Sequence, residues 1–206
     1  MQHLQELLTN PEILHTYALA DNSLYYVEHN INHALRVMHT AQALATKLKL
    51  SATDIENVGV AGLLHDLGAS NLGKDGHAER SYEIAKRYTN NEKILDAIRE
   101  HSKGHPSDYG YILTLADKLD FCCERLTELG KTIEGVRQWE HLRTMDFDIV
   151  DRTLIINVTN DKKLDLQELN AYYFTPKIAN VIKNFANHFN LKYMVYLDNE
   201  PWQALC

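Results

Sequence analysis

A mainly α-helical domain followed by a small C-terminal α+β appendage is the fold this chain predicts, and three features predict it. Apolar residues recur at helical spacing, in segments with recognisable caps, over about the first 145 positions. Beyond that point the pattern changes to short, β-branched runs. Residues of metal-ligand type stand at intervals along the helical part, as in bundles that build a site from side chains on facing helices.

The elements follow in order. Asn10-Pro11-Glu12 starts a helix, with Asn as cap, Pro at the first helical position and an acid in the first turn. A long helix is expected from about 23 to 48, with Leu24, Val27, Ile31, Ala34, Leu35, Met38, Ala41 and Leu44 on one broad face. Ser51-Ala52-Thr53-Asp54 resembles a capping box with Asp in place of Glu, and opens a helix that ends at His65-Asp66. The segment 68–76 holds three glycines and reads as a loop. Helices are expected at about 77–88 and 92–102, the second stopped by Gly104-His105-Pro106. Ser107-Asp108 starts the next, which carries Ile112, Leu115, Ala116, Leu119, Phe121 and Cys122, and a further helix runs roughly over 132–143 with Trp139. The runs 147–150 and 154–158, split by Asp151-Arg152-Thr153, read as a hairpin, Thr175-Pro176 begins a helix, and 191–197 is a third strand. The expected division is a helical domain at 1–145 and a ββαβ subdomain at 146–206.

Composition narrows the function classes. A chain of 206 residues, 45% hydrophobic and 24% charged, matches a soluble globule with one full domain and room for a small second one. The formal net charge of -7 leaves no surplus of Lys and Arg to neutralise phosphates, so neither a nucleic-acid polymer nor a membrane surface is the expected partner. A small phosphorylated substrate stays compatible, because a bound metal supplies local positive charge. Cys122, Cys123 and Cys206 form neither a zinc ribbon nor a disulfide framework, which favours a reducing cytoplasm. The first residues lack the basic and apolar regions of a signal peptide. No run approaches the ~18 apolar residues of a membrane span.

The chemistry concentrates at His65-Asp66, which closes the apolar run Val60-Ala61-Gly62-Leu63-Leu64. An ionised carboxylate buried there is costly unless it is paired or bound to a metal. His33 lies upstream; His77, His101 and Asp117 lie downstream, each in a helix or at a helix end. Imidazole and carboxylate ligands suit zinc, iron, manganese or nickel. His29, one turn before His33, is read as solvent-facing or as lying behind the ligands. Asp120 reads as an acid that orients an imidazole or is merely solvated. Cys122 and Cys123 read as core residues, and Tyr109 and Tyr111 as packing residues.

His33-Ala34-Leu35-Arg36-Val37, Leu64-His65-Asp66-Leu67-Gly68 and Leu115-Ala116-Asp117 resemble the ordered signatures of the HD-domain superfamily, helical metal-dependent phosphohydrolases named for the His-Asp doublet. The resemblance covers roughly 23–128. It implies metal ligation by His33, His65, Asp66 and Asp117. His77 and His101 are similar to the extra histidines of the binuclear branches, in which the doublet aspartate bridges two divalent ions (Fe, Mn, Zn, Ni or Mg). The expected activity is hydrolysis of a small phosphate ester or nucleotide, with Asp66 and Arg36 at the reacting centre. Arg36, Lys74, Arg80 and Lys103 are the candidate phosphate contacts. Several binuclear branches place a lysine shortly after the doublet, where this chain has Gly68-Ala69; Lys74 is the candidate substitute. A di-iron oxygenase of the same fold and a non-catalytic metal-containing regulatory module stand as alternatives. The edges of the small sheet leave homodimerisation open.

Overall fold

The structure, a computed structural model, describes residues 2–20, 22–69, 75–102 and 107–206. The helices are α1 (Gln2–Leu8), α2 (Pro11–Ala18), α3 (Ile31–Lys47), α4 (Ala52–Leu64), α5 (His77–Ala85), α6 (Glu92–Glu100), α7 (Asp108–Leu119), α8 (Leu166–Ala171) and α9 (Thr175–His188). The strands are β1 (Leu142–Val150), β2 (Thr153–Asn160), β3 (Lys192–Leu197) and β4 (Glu200–Pro201). The fold is mainly α, with the small sheet at its C-terminal end. Backbone contacts divide the chain into two units, 1–24 with 29–117 and 25–28 with 118–206. The division therefore falls at 117/118, ahead of the change in periodicity near 145.

In the first unit the helices start where side chains can satisfy orphan N–H groups. Asn10 accepts from Glu12 and Ile13, Ser51 from Asp54, and Asn91 from Lys93. The expected long helix is shorter than its apolar pattern. Asn30 caps it by accepting from the His33 N–H, so α3 begins at Ile31. Before it, Asn22–Leu24 form a 3-10 turn, and Val27 pairs in an isolated bridge with Leu126. Likewise α5 stops at Ala85 and α6 at Glu100.

Seven consecutive residues of α4, Val58 to Leu64, are buried. A helix that is apolar all round belongs in the centre of its unit, and this one packs on α3, where Val37, Met38, Ala41 and Leu44 are buried. Gly62 makes the close approach: a Cβ there would stand 2.7 Å from the Met38 Cα. The doublet at the end of α4 is thereby delivered into the interior.

In the second unit the strand order is β1-β2-β3-β4. β2 pairs antiparallel with β1 and parallel with β3, and β4 closes antiparallel on β3. Asp151 and Arg152 both have positive φ, 47° and 60°, as a two-residue hairpin turn of the primed type requires. Leu154, Ile156, Val158 and Val195 are buried, as are Ile178, Ile182 and Phe185 of α9, which packs on β3. The expected ββαβ order gains the short α8 and the two-residue β4. Residues 132–143 are not an α-helix. Gly135, at φ 82°, separates two 3-10 turns, Gly130–Thr132 and Val136–His141, and β1 begins directly after them.

Candidate metal centre

The ends of two helices present histidines by the same local device. His65 caps α4, and its Nδ1 lies 2.8 Å from the Gly62 carbonyl. His101 caps α6, and its Nδ1 lies 2.6 Å from the Ile98 carbonyl. A carbonyl can only accept, so each Nδ1 donates, and Nε2 is the ring nitrogen left to meet another group. Among the described residues the His65 Nε2 is buried without a hydrogen-bond partner. His33 comes from the first turn of α3 and is fully buried; His77 is the first residue of α5; Asp117 comes from α7.

These side chains converge on Asp66, and its two oxygens face different neighbours. Oδ2 lies 3.4 Å from His33 Nε2, 3.4 Å from His65 Nε2 and 2.7 Å from His29 Nδ1. Oδ1 lies 3.5 Å from His77 Nε2 and 3.8 Å from His101 Nε2. His33 Nε2 also stands 3.4 Å from Asp117 Oδ1, and His77 Nε2 stands 3.0 Å from His101 Nε2. Two ligand atoms each about 2.1 Å from one ion, at tetrahedral or octahedral angles, stand about 3.0–3.4 Å apart. The 3.0 Å spacing of His77 and His101 and the three spacings of 3.4 Å fall in that range, whereas the 2.7 Å from His29 to Asp66 is a hydrogen bond. The donor set fits a divalent ion in chemistry, in spacing and in the orphaned, inward-facing His65 nitrogen.

Electrostatics agree with the geometry. Burial pushes the Asp66 carboxyl up, but the His65 and His29 imidazoles beside it and the hydrogen bonds from His29 and His33 outweigh burial and hold it well below the usual carboxylate range. Asp66 is therefore an anion in the interior. Burial, with His65 adjacent, pushes His101 down to about 3, so it is a neutral imidazole. Burial and the Asp66 charge push Tyr17 up, which keeps its hydroxyl as a donor to the Leu63 carbonyl at 2.7 Å.

The structure brings together His33, His65, Asp66, His77, His101 and Asp117. Of the two readings of His29, the structure favours the one behind the ligands: it is buried and sits against the doublet carboxylate. Its signal in the sequence was the four-residue spacing to His33. Arg36 is half-buried on α3, three residues past His33. Arg80, expected to contact phosphate, directs Nε to the Gly68 carbonyl at 2.9 Å and a terminal nitrogen to the Asp75 carbonyl at 2.7 Å. It braces the two flanks of the segment 70–74. Lys74 and Lys103 lie outside the described residues. Asp120 is buried beside Arg125, whose Nε is 3.9 Å from its carboxylate. Tyr109 is a packing residue that donates to Asp54 at 2.6 Å. Cys122 and Cys123 are only half-buried, because the chain leaves α7 before them.

Residues 30–122 match the family described as HD domain. Ribonuclease Y of Staphylococcus epidermidis is 25% identical over 186 residues, covering 84% of this chain and 35% of that protein. Ribonuclease Y 1 of Pediococcus pentosaceus is 23% identical over 184 residues, with the same coverage of 84% and 35%. Ribonuclease Y of Mycoplasma mycoides is 34% identical over 130 residues, covering 54% of this chain and 25% of that protein. The chain thus spans about a third of the length of the curated relatives it matches.

Proposed function

Residues 30–122 of this chain are an HD domain, and from that premise we propose that the protein is a phosphohydrolase that holds two divalent metal ions and cleaves a small phosphate ester or nucleotide. One observation carries the reading: the Asp66 carboxylate turns Oδ2 toward His33 and His65 and Oδ1 toward His77 and His101. A single carboxylate placed between two imidazole pairs is arranged to bridge.

In this reading His33, His65, Asp117 and Asp66 would hold one ion, and Asp66, His77 and His101 would hold the other. Bound divalent ions supply Lewis-acid charge and bring the pKa of water toward neutrality. The protein's own groups do the rest. Gly62 and Ile98 accept from Nδ1 of His65 and His101, which orients both rings with Nε2 toward the centre. Asp66 remains ionised over the working pH range. Arg36 offsets the charge that develops as water adds to phosphorus and the bond to the leaving oxygen breaks. Arg80 holds the flanks of the segment that carries Lys74.

The test is metal content per chain and turnover, for the wild type and Asp66→Ala, with a panel of nucleotides, small phosphodiesters and an RNA oligomer. The expected result is close to two ions per chain and hydrolysis of a small ester, both lost in Asp66→Ala. Full activity in that variant overturns the proposal. A second reading, an RNA phosphodiesterase, is favoured by the likeness to ribonuclease Y over 84% of this chain. Preference for the oligomer over every small ester selects it.

A further inference from the structure

The second unit carries a cluster of aromatic rings and lysines that the metal centre does not use. Tyr172, Tyr173 and Phe174 form the turn between α8 and α9. The turn is fixed from several sides. The Tyr172 N–H donates to the Leu169 carbonyl at 3.2 Å, and the buried Thr175 hydroxyl donates to the same carbonyl at 2.7 Å. The Phe174 ring packs on the buried Trp139 at 5.8 Å. Tyr172 backs so closely on Gly135 that a Cβ there would stand 2.4 Å from the Tyr172 Cβ.

On this fixed support Tyr173 points outward. It is 53% exposed, more than any other large hydrophobic side chain among the described residues. Its ring centroid lies 4.7 Å from that of Tyr172. Two ammonium groups accompany the rings: Lys177 Nζ lies 4.7 Å from the Tyr173 centroid, and Lys118 Nζ lies 5.6 Å from the Phe174 centroid. Lys118 follows Asp117 directly in the chain.

We infer that the Tyr172–Phe174 turn with Lys177 is a binding platform for a nucleotide, Tyr173 stacking on the base and Lys177 facing its phosphate. An exposed ring on a preorganised turn loses little entropy on stacking, and a base offers a π-face whatever its identity. A purely apolar partner would have to strip water from the exposed Lys177 ammonium, whereas a base that carries a phosphate satisfies rings and charge together. A second copy of this face would bring like charges into opposition. The shared chemistry, a base with an attached phosphate, is offered by a free nucleotide or by the end of an RNA strand. The inference stands apart from the metal reading, because every platform residue belongs to the unit of 25–28 with 118–206, and Asp66 and its histidines do not.

The experiment is calorimetric titration of chelator-treated protein with AMP, ribose 5-phosphate and an adenylate hexamer. AMP is expected to bind more tightly than ribose 5-phosphate. Tyr173→Ala should weaken AMP about 5- to 150-fold, the range that follows from losing one base–aromatic stack. Tyr173→Phe should stay within about twofold, because the ring and not the hydroxyl carries the contact. Lys177→Ala should weaken AMP and flatten its salt dependence. Equal affinity for AMP and the hexamer assigns the platform to free nucleotides; tighter hexamer binding assigns it to strand ends; both support the shared chemistry. Equal affinity for AMP and ribose 5-phosphate, or undiminished AMP binding by Tyr173→Ala, overturns it. Asp66→Ala should bind AMP like the wild type, so loss of turnover there and loss of binding at Tyr173 are separate outcomes.

Discussion

His29 is the residue that distinguishes the site from its sequence pattern. Six candidate ligands were legible because each places an imidazole or carboxylate in or beside an apolar helical run, where burial demands a partner. His29 was legible only as one of two alternatives, solvent-facing or behind the ligands, because the helix was expected to begin near 23, and a histidine one turn before His33 on a continuous helix has no reason to face inward more than outward. The Asn30 cap changes this: the chain enters α3 at Ile31, and His29 sits in the non-helical approach with its Nδ1 2.7 Å from Asp66 Oδ2. A hydrogen bond to a ligating carboxylate orients it and stabilises its charge. His29→Ala should therefore lower divalent-metal affinity about 10- to 100-fold, read by competition with a chromogenic chelator. His29→Asn, which keeps a donor at a similar reach, should recover part of that loss. Unchanged affinity in His29→Ala would show that Asp66 is held by its other neighbours alone.

At the scale of elements, the caps were the reliable signal and the periods were not. Asn10, Ser51 and Pro176 mark the starts of α2, α4 and α9 because their chemistry acts within one turn. Leu24 and Val27 kept to the helical apolar period, yet Val27 lies in a bridge to Leu126, since a few apolar residues satisfy a helix and an extended segment equally. The 3-10 turns around Gly135 could not be read from Trp139, whose burial is served by either geometry. Close approach between elements was also hidden. Gly68 lies in the 3-10 turn Leu67–Ala69, and a Cβ there would stand 2.4 Å from the Ser81 N and 2.5 Å from the His77 carbonyl oxygen, both in the backbone of α5. Gly68 also donates its N–H to the Ser81 hydroxyl at 2.8 Å. Gly68→Ala must push α5 away from the doublet and carry His77 with it. The expected outcome is a folded protein, about 1–3 kcal/mol less stable by denaturant titration, whose metal content falls toward one ion per chain. Two ions retained at wild-type affinity would show that His77 is dispensable to the centre.

At the scale of the whole molecule, the mainly α fold with a C-terminal sheet was legible from the change of period near 145, but the grouping of the chain was not. Residues 118–141 lack regular strands, so their allegiance depends on long-range packing, and Phe121 and Trp139 lie against each other in the unit that holds the sheet. Charge is the other property of the whole. A net charge of -7 opposes a long polyanion and tolerates one or two phosphates neutralised locally. Salt separates these cases quantitatively. Each phosphate of a single strand that a protein neutralises contributes a slope of about -0.7 to log affinity against log salt. A fourfold rise in salt then costs about 2.6-fold per phosphate contacted, and more than about 10,000-fold for ten. For this protein kcat/KM on its best substrate should fall less than about tenfold between about 50 and 200 mM salt, the signature of one or two phosphate contacts. A steep fall with an RNA oligomer as the best substrate would mean that local basic groups outweigh the overall charge and would move the reading toward the ribonuclease relatives. A shallow fall shared by nucleotide and oligomer would place recognition at a single phosphoester rather than along a strand.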